Sequence, residues 1–201
     1  RNQRVELTQA AKSTQQSKLT VLLHKPIGWV SGQAEGGYRP AVDLVTVDNL
    51  DRRFPWTPWR GRPPRDWTRG MAPAGRLDID STGLLVLTQD GVVAKRLVGD
   101  RTDVEKEYLV RYEGSVDDGV IARLRHGLWL DGQALRPARV EAINDEQLRF
   151  VLRQGRKRQI RRMCLLVGLQ VTGLKRVRIG DVMLSGLARG RWRFLRDTER
   201  F

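Results

Sequence analysis

Two carboxylates and an arginine precede a short apolar run, and their spacing could support catalysis. Arg76, Asp78 and Asp80 come just before residues 84–87, Leu-Leu-Val-Leu, and an Asp-Gly turn closes the run at 90–91. Such a run predicts a buried strand. If the approach to it is extended, the two aspartates share a face, and their repulsion lets only one ionise easily when buried. The alternative is that both are solvated turn residues.

The whole segment from residue 75 to residue 91, GRLDIDSTGLLVLTQDG, extends this pattern. It closely resembles the active-site motif of the RsuA/RluB/RluE/RluF family of ribosomal RNA pseudouridine synthases. The resemblance implies that Asp78 is the catalytic aspartate and that Arg76 helps to replace the flipped nucleotide in the RNA stack. It also implies isomerisation of uridine to pseudouridine without a cofactor. The sequence does not distinguish three routes: attack by Asp78 on the sugar, attack by Asp78 on the base, and a glycal route.

Two shorter segments match further motifs of the same family. Lys25, Pro26 and Gly28 form a Lys-Pro-x-Gly turn after an apolar strand, and we expect this turn to support the site rather than to perform chemistry. Tyr108 ends a Lys-Glu-Tyr step inside a strand of alternating character. A tyrosine in a strand is more often a core residue, but its place after the aspartate motif matches the family's active-site tyrosine. The resemblance therefore places Tyr108 against the target nucleotide.

A cationic block lies in the last third of the chain. Between positions 147 and 180 the sequence has ten Lys and Arg residues and no acidic residue. Gly168 is the expected C-terminal cap of a helix whose core face is given by Ile160, Met163, Cys164 and Val167. A cationic stripe is usually a solvated face, but ten uncompensated bases favour a nucleic-acid surface. We therefore assign RNA contacts to Arg76, Arg156, Lys157, Arg158, Arg162, Lys175 and Arg176.

The same block, which resembles the family's third motif, contains Arg161 at the basic position that the family places beside its aspartate. Burial would tend to protonate Asp78, because a low dielectric disfavours the charged form. An arginine opposes this, since it stays charged and can hold a carboxylate through two parallel hydrogen bonds. We therefore expect Arg161 to lie beside Asp78 and to keep it ionised.

Composition limits the classes of partner and of chemistry that are possible for this chain. The formal net charge of +14 draws polyanions, although it could merely serve solubility. One cysteine and two histidines cannot supply a zinc-deaminase ligand set, and no phosphate-binding glycine motif is present, so neither a metal nor a cofactor is expected. The lone Cys164 permits no intrachain disulfide, which fits the cytoplasm. The sequence shows no apolar run of membrane-spanning length and no signal-peptide pattern, so no membrane partner is expected.

Two other classes of function stay open. A non-catalytic RNA-binding or ribosome-assembly protein would explain the charge, but it gives no role to Asp78, Tyr108 and Arg161. A glycosidase using Asp78 and Asp80 is weaker, because two carboxylates on one extended segment cannot readily flank a sugar at roughly 5 Å or more. Residues 174–195 resemble the large-subunit branch of the family (RluB/RluF). This favours 23S over 16S ribosomal RNA, either naked or in an assembling subunit.

The chain is expected to hold one catalytic domain, residues 19–201, after a polar linker or disordered arm, residues 1–18, in place of the S4-type RNA-binding domain that family members often carry. Residues 52–70 predict a Trp-, Pro- and Arg-rich loop whose tryptophans either stack on unpaired bases or pack onto the body. Periodicity predicts helices at 92–100 and 115–127 and a hairpin turn at 131–132. The resemblance implies the α/β (α+β) pseudouridine synthase fold: a curved, mainly antiparallel sheet with flanking helices, a central active-site cleft and, we expect, a monomeric state.

Overall fold

A mixed sheet of nine strands forms the body of the protein in the computed structural model, which describes residues 18–54, 57–59, 63–98 and 102–201. The strands of the described chain are β1 (Thr20–Lys25), β2 (Ala72–Pro73), β3 (Thr82–Thr88), β4 (Lys106–Glu113), β5 (Trp129–Leu130), β6 (Gln133–Ala134), β7 (Arg139–Asn144), β8 (Gln147–Leu152), β9 (Gln170–Ile179), β10 (Val182–Met183) and β11 (Trp192–Phe194). Its helices are α1 (Gly91–Leu97), α2 (Asp118–Arg125) and α3 (Gln159–Leu166), with short 3₁₀ helices at Ala41–Leu44 and Val47–Asn49.

The order of the strands in the large sheet is β11-β1-β3-β9-β4-β8-β7. Strand β10 pairs with β9, β2 pairs with β3, and β5 and β6 form a separate hairpin. Among the described strands, β3 and β9 are the one parallel pair, joined at Thr82–Lys175 and Gly83–Arg176. The mainly antiparallel sheet with flanking helices agrees with the predicted fold. Strand β9 therefore joins the half of the sheet that carries residues 76–88 to the half that carries Tyr108.

Strand β3 is buried on both faces, which explains its unbroken apolar sequence. Leu85 and Leu87 pack into the larger core cluster, together with residues of β1, β4, β8 and α3. Leu84 and Val86 point to the opposite face and pack with Ile179 and its neighbours in a second cluster. Because successive side chains of a strand alternate between faces, one four-residue run anchors β3 in both cores. The segment that precedes β3 is therefore held at a fixed place.

Gly83 is required where β3 meets β9. Its φ is +113°, and a Cβ atom built on it would lie 2.2 Å from the main-chain oxygen of Arg176 and 2.6 Å from its nitrogen. Such distances are far inside van der Waals contact, and this φ is one that L side chains rarely adopt. Only glycine lets the two strands approach this closely.

The predicted helices are confirmed with ends that differ by up to three residues, and the predicted hairpin turn is confirmed. Asp90 and Asp117 cap α1 and α2 by accepting hydrogen bonds from the main-chain N–H groups of Val92 and Val120. Gly168 has a φ of +83° just after α3, as a C-terminal cap requires. The Asp131-Gly132 pair has φ values of +54° and +71°, which a tight two-residue hairpin between β5 and β6 needs.

The Trp-rich segment at 52–70 holds neither helix nor strand in its described residues, 52–54, 57–59 and 63–70. The rings of Trp59 and Trp67 lie 5.2 Å apart and pack on Phe194, and Trp67 also contacts Trp192. For these two tryptophans the packing alternative is therefore correct. Trp56 and the arm at 1–17 lie outside the described residues. No helix of the described chain is long and apolar enough to cross a membrane.

Candidate active site

The segment before β3 is a tight turn rather than an extended approach. The Ser81 N–H donates to the main-chain oxygen of Asp78 at 3.0 Å, so the chain reverses between the two residues. Of the two alternatives, the extended approach with both aspartates on one strand face is therefore wrong, and the two residues lie on a turn. Instead, Asp78 lines a cavity, while the Asp80 carboxylate turns to the arginines of α3 and its N-terminal flank.

The Lys-Pro-x-Gly turn after β1 holds this segment in place. The Gly28 N–H donates to the main-chain oxygen of Ile79 at 2.9 Å, from a φ of +86° that favours glycine. The buried hydroxyl of Ser31 donates to the Leu77 carbonyl at 2.7 Å and accepts from the Leu77 N–H at 2.8 Å. The residues on both sides of Asp78 are thus fixed by main-chain hydrogen bonds.

Lys25 is a buried cation that supports the same turn. Its side chain is fully buried, and Nζ donates to the carbonyls of Pro26 at 2.9 Å and Trp29 at 2.8 Å. Burial lowers the pKa of Lys25 to about 8, although the charges of Asp78 and Asp80 act in the opposite direction. The buried ammonium therefore lies within electrostatic reach of the Asp78 and Asp80 carboxylates.

Asp78 and Tyr108 line one cavity of about 550 Å³ between the turn, β4 and the chain that leads into α3. The charged side chains around it are two carboxylates, Asp78 and Glu35, and six cations: Arg76, Lys106, Arg156, Lys157, Arg158 and Arg176. Its volume lies in the range of small-molecule sites. The excess of positive charge suits an anionic ligand. The structure thus brings together the aspartate, the tyrosine and most of the predicted cationic residues.

Arg161 is not where the sequence placed it. It lies outside the cavity lining, where Nη2 donates to the Asp80 carbonyl at 2.9 Å, Nη1 donates to Val171, and Nε lies 3.3 Å from an Asp80 carboxylate oxygen. Arg158 donates to the same carboxylate at 2.9 and 3.2 Å. Burial alone would raise the pKa of Asp80, but the hydrogen bonds from Arg158 and the charges of both arginines lower it. In the structure, Arg161 therefore orients the turn through Asp80.

The predicted RNA-binding residues divide into two groups. Arg156 donates to Leu130 and Gln133 of the small hairpin, and Arg162 forms an ion pair with Asp131 at 2.6 Å, so both hold β5 and β6. Of the predicted RNA-binding residues, those whose side chains form no ion pair or hydrogen bond with the described chain are Arg76, Lys157 and Lys175. These three cations are the ones available to phosphates.

Arg176 does not lie on the RNA-contacting surface as predicted, because its side chain is only 2 % exposed. The pairing of β4 with β9 sets it opposite Tyr108, and the guanidinium donates to the carbonyls of Leu84 at 2.8 Å and Arg76 at 3.2 Å. Its Nη1 lies 3.5 Å from the Tyr108 hydroxyl. Arg176 therefore connects β3, the turn and Tyr108 instead of reaching solvent.

Lys106 is a cavity residue to which the sequence reasoning gave no role. It is 8 % exposed and lies two residues before Tyr108 in β4, so the two side chains share a strand face. That alternation was visible in the Lys-Glu-Tyr step and could have identified it. Ser81, fully buried with an unpartnered Oγ, is a second cavity residue that the pattern did not single out.

The sheet and the cavity agree with the pseudouridine synthase fold that the sequence motifs implied. The chain belongs to the RNA pseudouridylate synthase family, whose pattern it matches over residues 20–166. The family resemblance inferred from the sequence motifs is thereby confirmed.

Curated relatives agree with this membership. The chain is 36% identical to the dual-specificity RNA pseudouridine synthase RluF of Salmonella typhi, over 89% of this chain and 55% of the relative. It is 39% identical to the ribosomal large subunit pseudouridine synthase B of Yersinia pestis, over 77% and 49%, respectively. An uncharacterized RNA pseudouridine synthase of Aquifex aeolicus is 30% identical over 89% of this chain and 68% of that protein. The chain thus spans about half the length of the first two relatives.

Solved structures agree with the fold. A crystal structure of a pseudouridylate synthase superimposes with a TM-score of 0.74 at 29% identity and covers 89% of this chain and 70% of that chain. The archaeal box H/ACA sRNP Nop10–Cbf5 complex gives a TM-score of 0.51 at 18% identity, over 88% and 54% of the two chains, which shows likeness of fold alone.

Proposed function

We propose that this chain isomerises uridine to pseudouridine in ribosomal RNA. The observation that carries the proposal is the position of Asp78, which lines a cationic cavity of about 550 Å³ together with Tyr108. The cavity has room for an extruded nucleotide, and its six cations suit a polyanion. The family membership and the names of the relatives support the same reaction.

Asp78 is the proposed catalytic residue, and its role is to initiate cleavage of the bond between ribose C1′ and uracil N1. The uracil then turns and rejoins the ribose through C5. Attack by Asp78 and the glycal route both use an ionised carboxylate. The hydrogen bonds to the main chain of Leu77 and Ile79 hold the Asp78 backbone in place at the cavity.

Tyr108 and Arg76 have distinct proposed roles around the target. Tyr108 packs against the extruded nucleotide from the strand side of the cavity and assists proton removal. Arg76 is exposed, and its guanidinium has no partner within the described chain, so it is available to fill the gap left in the RNA stack. A planar cation can occupy such a gap by stacking on the neighbouring bases.

We favour 23S over 16S ribosomal RNA as the substrate, either naked or within an assembling subunit. Residues 174–195 and the likeness to a large-subunit pseudouridine synthase support this choice. We further propose that the chain acts as a monomer in the cytoplasm.

The contacts of Asp80 weigh against a glycosidase. Such an enzyme would use a second carboxylate as an acid, but Arg158 and Arg161 hold Asp80 as an ion. A non-catalytic RNA-binding protein is also less well supported, because it needs no carboxylate fixed on both sides at the wall of a cavity.

The test is release of tritium from 5-tritiated uridine in ribosomal RNA transcripts and in unmodified large subunits. We expect turnover by the wild type and a loss of more than about 1,000-fold in Asp78→Asn. RNA binding should persist, since a single carboxylate contributes no phosphate contact.

Asp80→Asn is the matched control, because it removes the neighbouring carboxylate on the same turn. It should lower thermal stability and reduce turnover less than Asp78→Asn does, since its contacts only orient the turn. Equal turnover by the wild type and Asp78→Asn would refute the assignment. Release by neither protein, on naked RNA and on subunits, would favour a binding function.

A further inference from the structure

Lys106 and Arg176 form a pair of buried cations at the wall of the cavity, next to Tyr108. Alternation along β4 puts Lys106 and Tyr108 on one face, and the pairing of β4 with β9 sets Arg176 opposite Tyr108. The two cations are 8 % and 2 % exposed, and both line the cavity.

No carboxylate of the described chain forms an ion pair with either cation. In that part of the chain, the contacts of the Arg176 guanidinium are with main-chain carbonyls and the Tyr108 hydroxyl. Its Nη2 atom is buried and has no hydrogen-bond partner among the described residues. Burying unpaired charge is unfavourable by several kcal/mol for each ion. Two such groups on one cavity wall indicate a site for a ligand group that carries or develops negative charge.

We propose that Lys106 and Arg176 bind the uracil base and hold the negative charge that it acquires when the bond between C1′ and N1 breaks. This inference rests on the proposed function. In that step the electron pair of the broken bond passes to uracil N1 and is shared with O2, while C1′ is taken by the Asp78 carboxylate or C2′ loses a proton. The uracil then turns, and C5 bonds to C1′ while the ester to Asp78 breaks or C2′ regains its proton. C5 then loses its proton to solvent and N1 takes one up. No atom is gained or lost overall.

The position of the pair favours the base over a backbone phosphate. Phosphates follow the RNA strand across the protein surface, and the exposed cations without partners, Arg76 and Lys157, lie at the cavity where they can meet them. Lys106 and Arg176 are buried beside Tyr108, where the extruded base must enter. Preorganised cations in a site of low dielectric stabilise developing charge more strongly than water does.

The test compares Lys106→Met and Lys106→Arg in single-turnover isomerisation of 23S ribosomal RNA transcripts by the full chain. Removal of one electrostatic stabiliser should slow the chemical step by about 100-fold with little change in RNA affinity, and Lys106→Arg should restore most of the rate. Lys95→Met, an exposed lysine of α1, is the control and should match the wild type.

The pH profile separates this role from general-base catalysis. Burial, and then the charge of Arg176, lower the pKa of Lys106 to about 8. The other charged or titratable groups that line the same cavity come from every element packed around it: Arg176 from β9, Tyr108 from β4, Arg76 and Asp78 from the turn, Glu35 from the chain after β1, and Arg156, Lys157 and Arg158 from the chain that leads into α3. Because the protonated amine is the active form, the wild-type rate should fall as the pH rises through about 8.

The alkaline decline should vanish in Lys106→Arg, because an arginine stays charged. If the alkaline decline persists in Lys106→Arg, it belongs instead to Lys25, whose pKa is also about 8, and the inference is overturned. A rate that rises with pH, together with an inactive Lys106→Arg, would identify a neutral base and overturn it as well.

Thermal unfolding excludes a merely structural role. Lys106→Met removes a buried, unpaired charge while it keeps the length of the side chain, so its Tm should equal or exceed that of the wild type. A lower Tm together with a lower rate would point to structure alone. A wild type without turnover would refute the proposed function, whereas an active wild type matched by Lys106→Met would refute this inference only.

Discussion

The substitution Gly83→Ala should damage both the stability and the activity of the protein. A Cβ atom at this position would lie 2.2 and 2.6 Å from main-chain atoms of Arg176, and the φ of +113° is unfavourable for alanine. The conformational strain contributes about 1–3 kcal/mol, and the overpacking contributes a further ~1–3 kcal/mol. The colliding atoms belong to the backbone of a central strand, so they cannot move aside cheaply.

The expected loss is therefore about 4 kcal/mol of unfolding free energy, which corresponds to a fall in Tm of roughly 10 °C for a chain of this size. Since residues 82 and 83 pair β3 with β9, the turn that carries Asp78 should also shift relative to Tyr108. Turnover measured below the unfolding transition should therefore decline.

Urea and thermal unfolding, followed by circular dichroism, measure the first effect, and tritium release measures the second. Gly91→Ala is the matched control, because nothing lies within 4 Å of its added methyl group and it opens α1 with an ordinary φ. It should stay within about 1 kcal/mol of the wild type. A Gly83→Ala protein with a Tm within about 2 °C of the wild type would show that the close approach is not needed.

Three further predictions concern the surface and the core. Glu199→Gln should lower stability by about 3 kcal/mol in urea unfolding at pH 7, because it leaves the buried Arg193 without the carboxylate that it binds at 2.7 Å. Burial would raise the pKa of Glu199, but Arg193 lowers it, so the stability that the carboxylate adds is lost as the pH falls through this lowered pKa. A stability difference between the wild type and Glu199→Gln that persists in acid would contradict the reasoning. For single-stranded RNA, a plot of the logarithm of the binding constant against the logarithm of the salt concentration should have a slope of about −4 if ~6 phosphates are contacted. Lys157→Gln should reduce the size of this slope by about 0.7, which is more than Arg162→Gln does. Equal changes in the two variants would refute the division of the basic residues into paired and unpaired groups. Cys164 should resist thiol reagents at pH 8 until urea unfolds the chain, because burial raises its pKa to about 12; rapid labelling of the native protein would contradict its placement.

The sequence was sufficient for the features that depend on local pattern. The unbroken apolar run of β3 predicted burial, the Asp-Gly pairs predicted turns, and the spacing of Ile160, Met163 and Cys164 predicted the buried face of α3. The motifs placed Asp78 and Tyr108 at one cavity, and the Lys-Pro-x-Gly turn beside them. These features follow from periodicity and from residue types, such as the Asp-Gly pairs, that favour particular backbone conformations.

The features that depend on long-range geometry were not predicted. Helical spacing could align Arg158 with Arg161, but the turn at 78–81 decides that they meet Asp80 instead of Asp78. The burial of Arg176 depends on strand β9 entering the middle of the sheet, and a run of basic residues gives no sign of it. Charge patterns report composition, whereas burial depends on which strands become neighbours.

The central position of β9 has a consequence for synthesis on the ribosome. Eight of the described strands precede β9 along the chain, yet it lies between β3 and β4 in the sheet. Until residues 170–179 have been translated, the neighbouring edges of β3 and β4 have no partner, and unpaired strand edges promote association between chains. Long-range pairing of this kind also slows folding. The nascent chain therefore stays incomplete for most of its translation, and its cavity closes only when this late strand arrives.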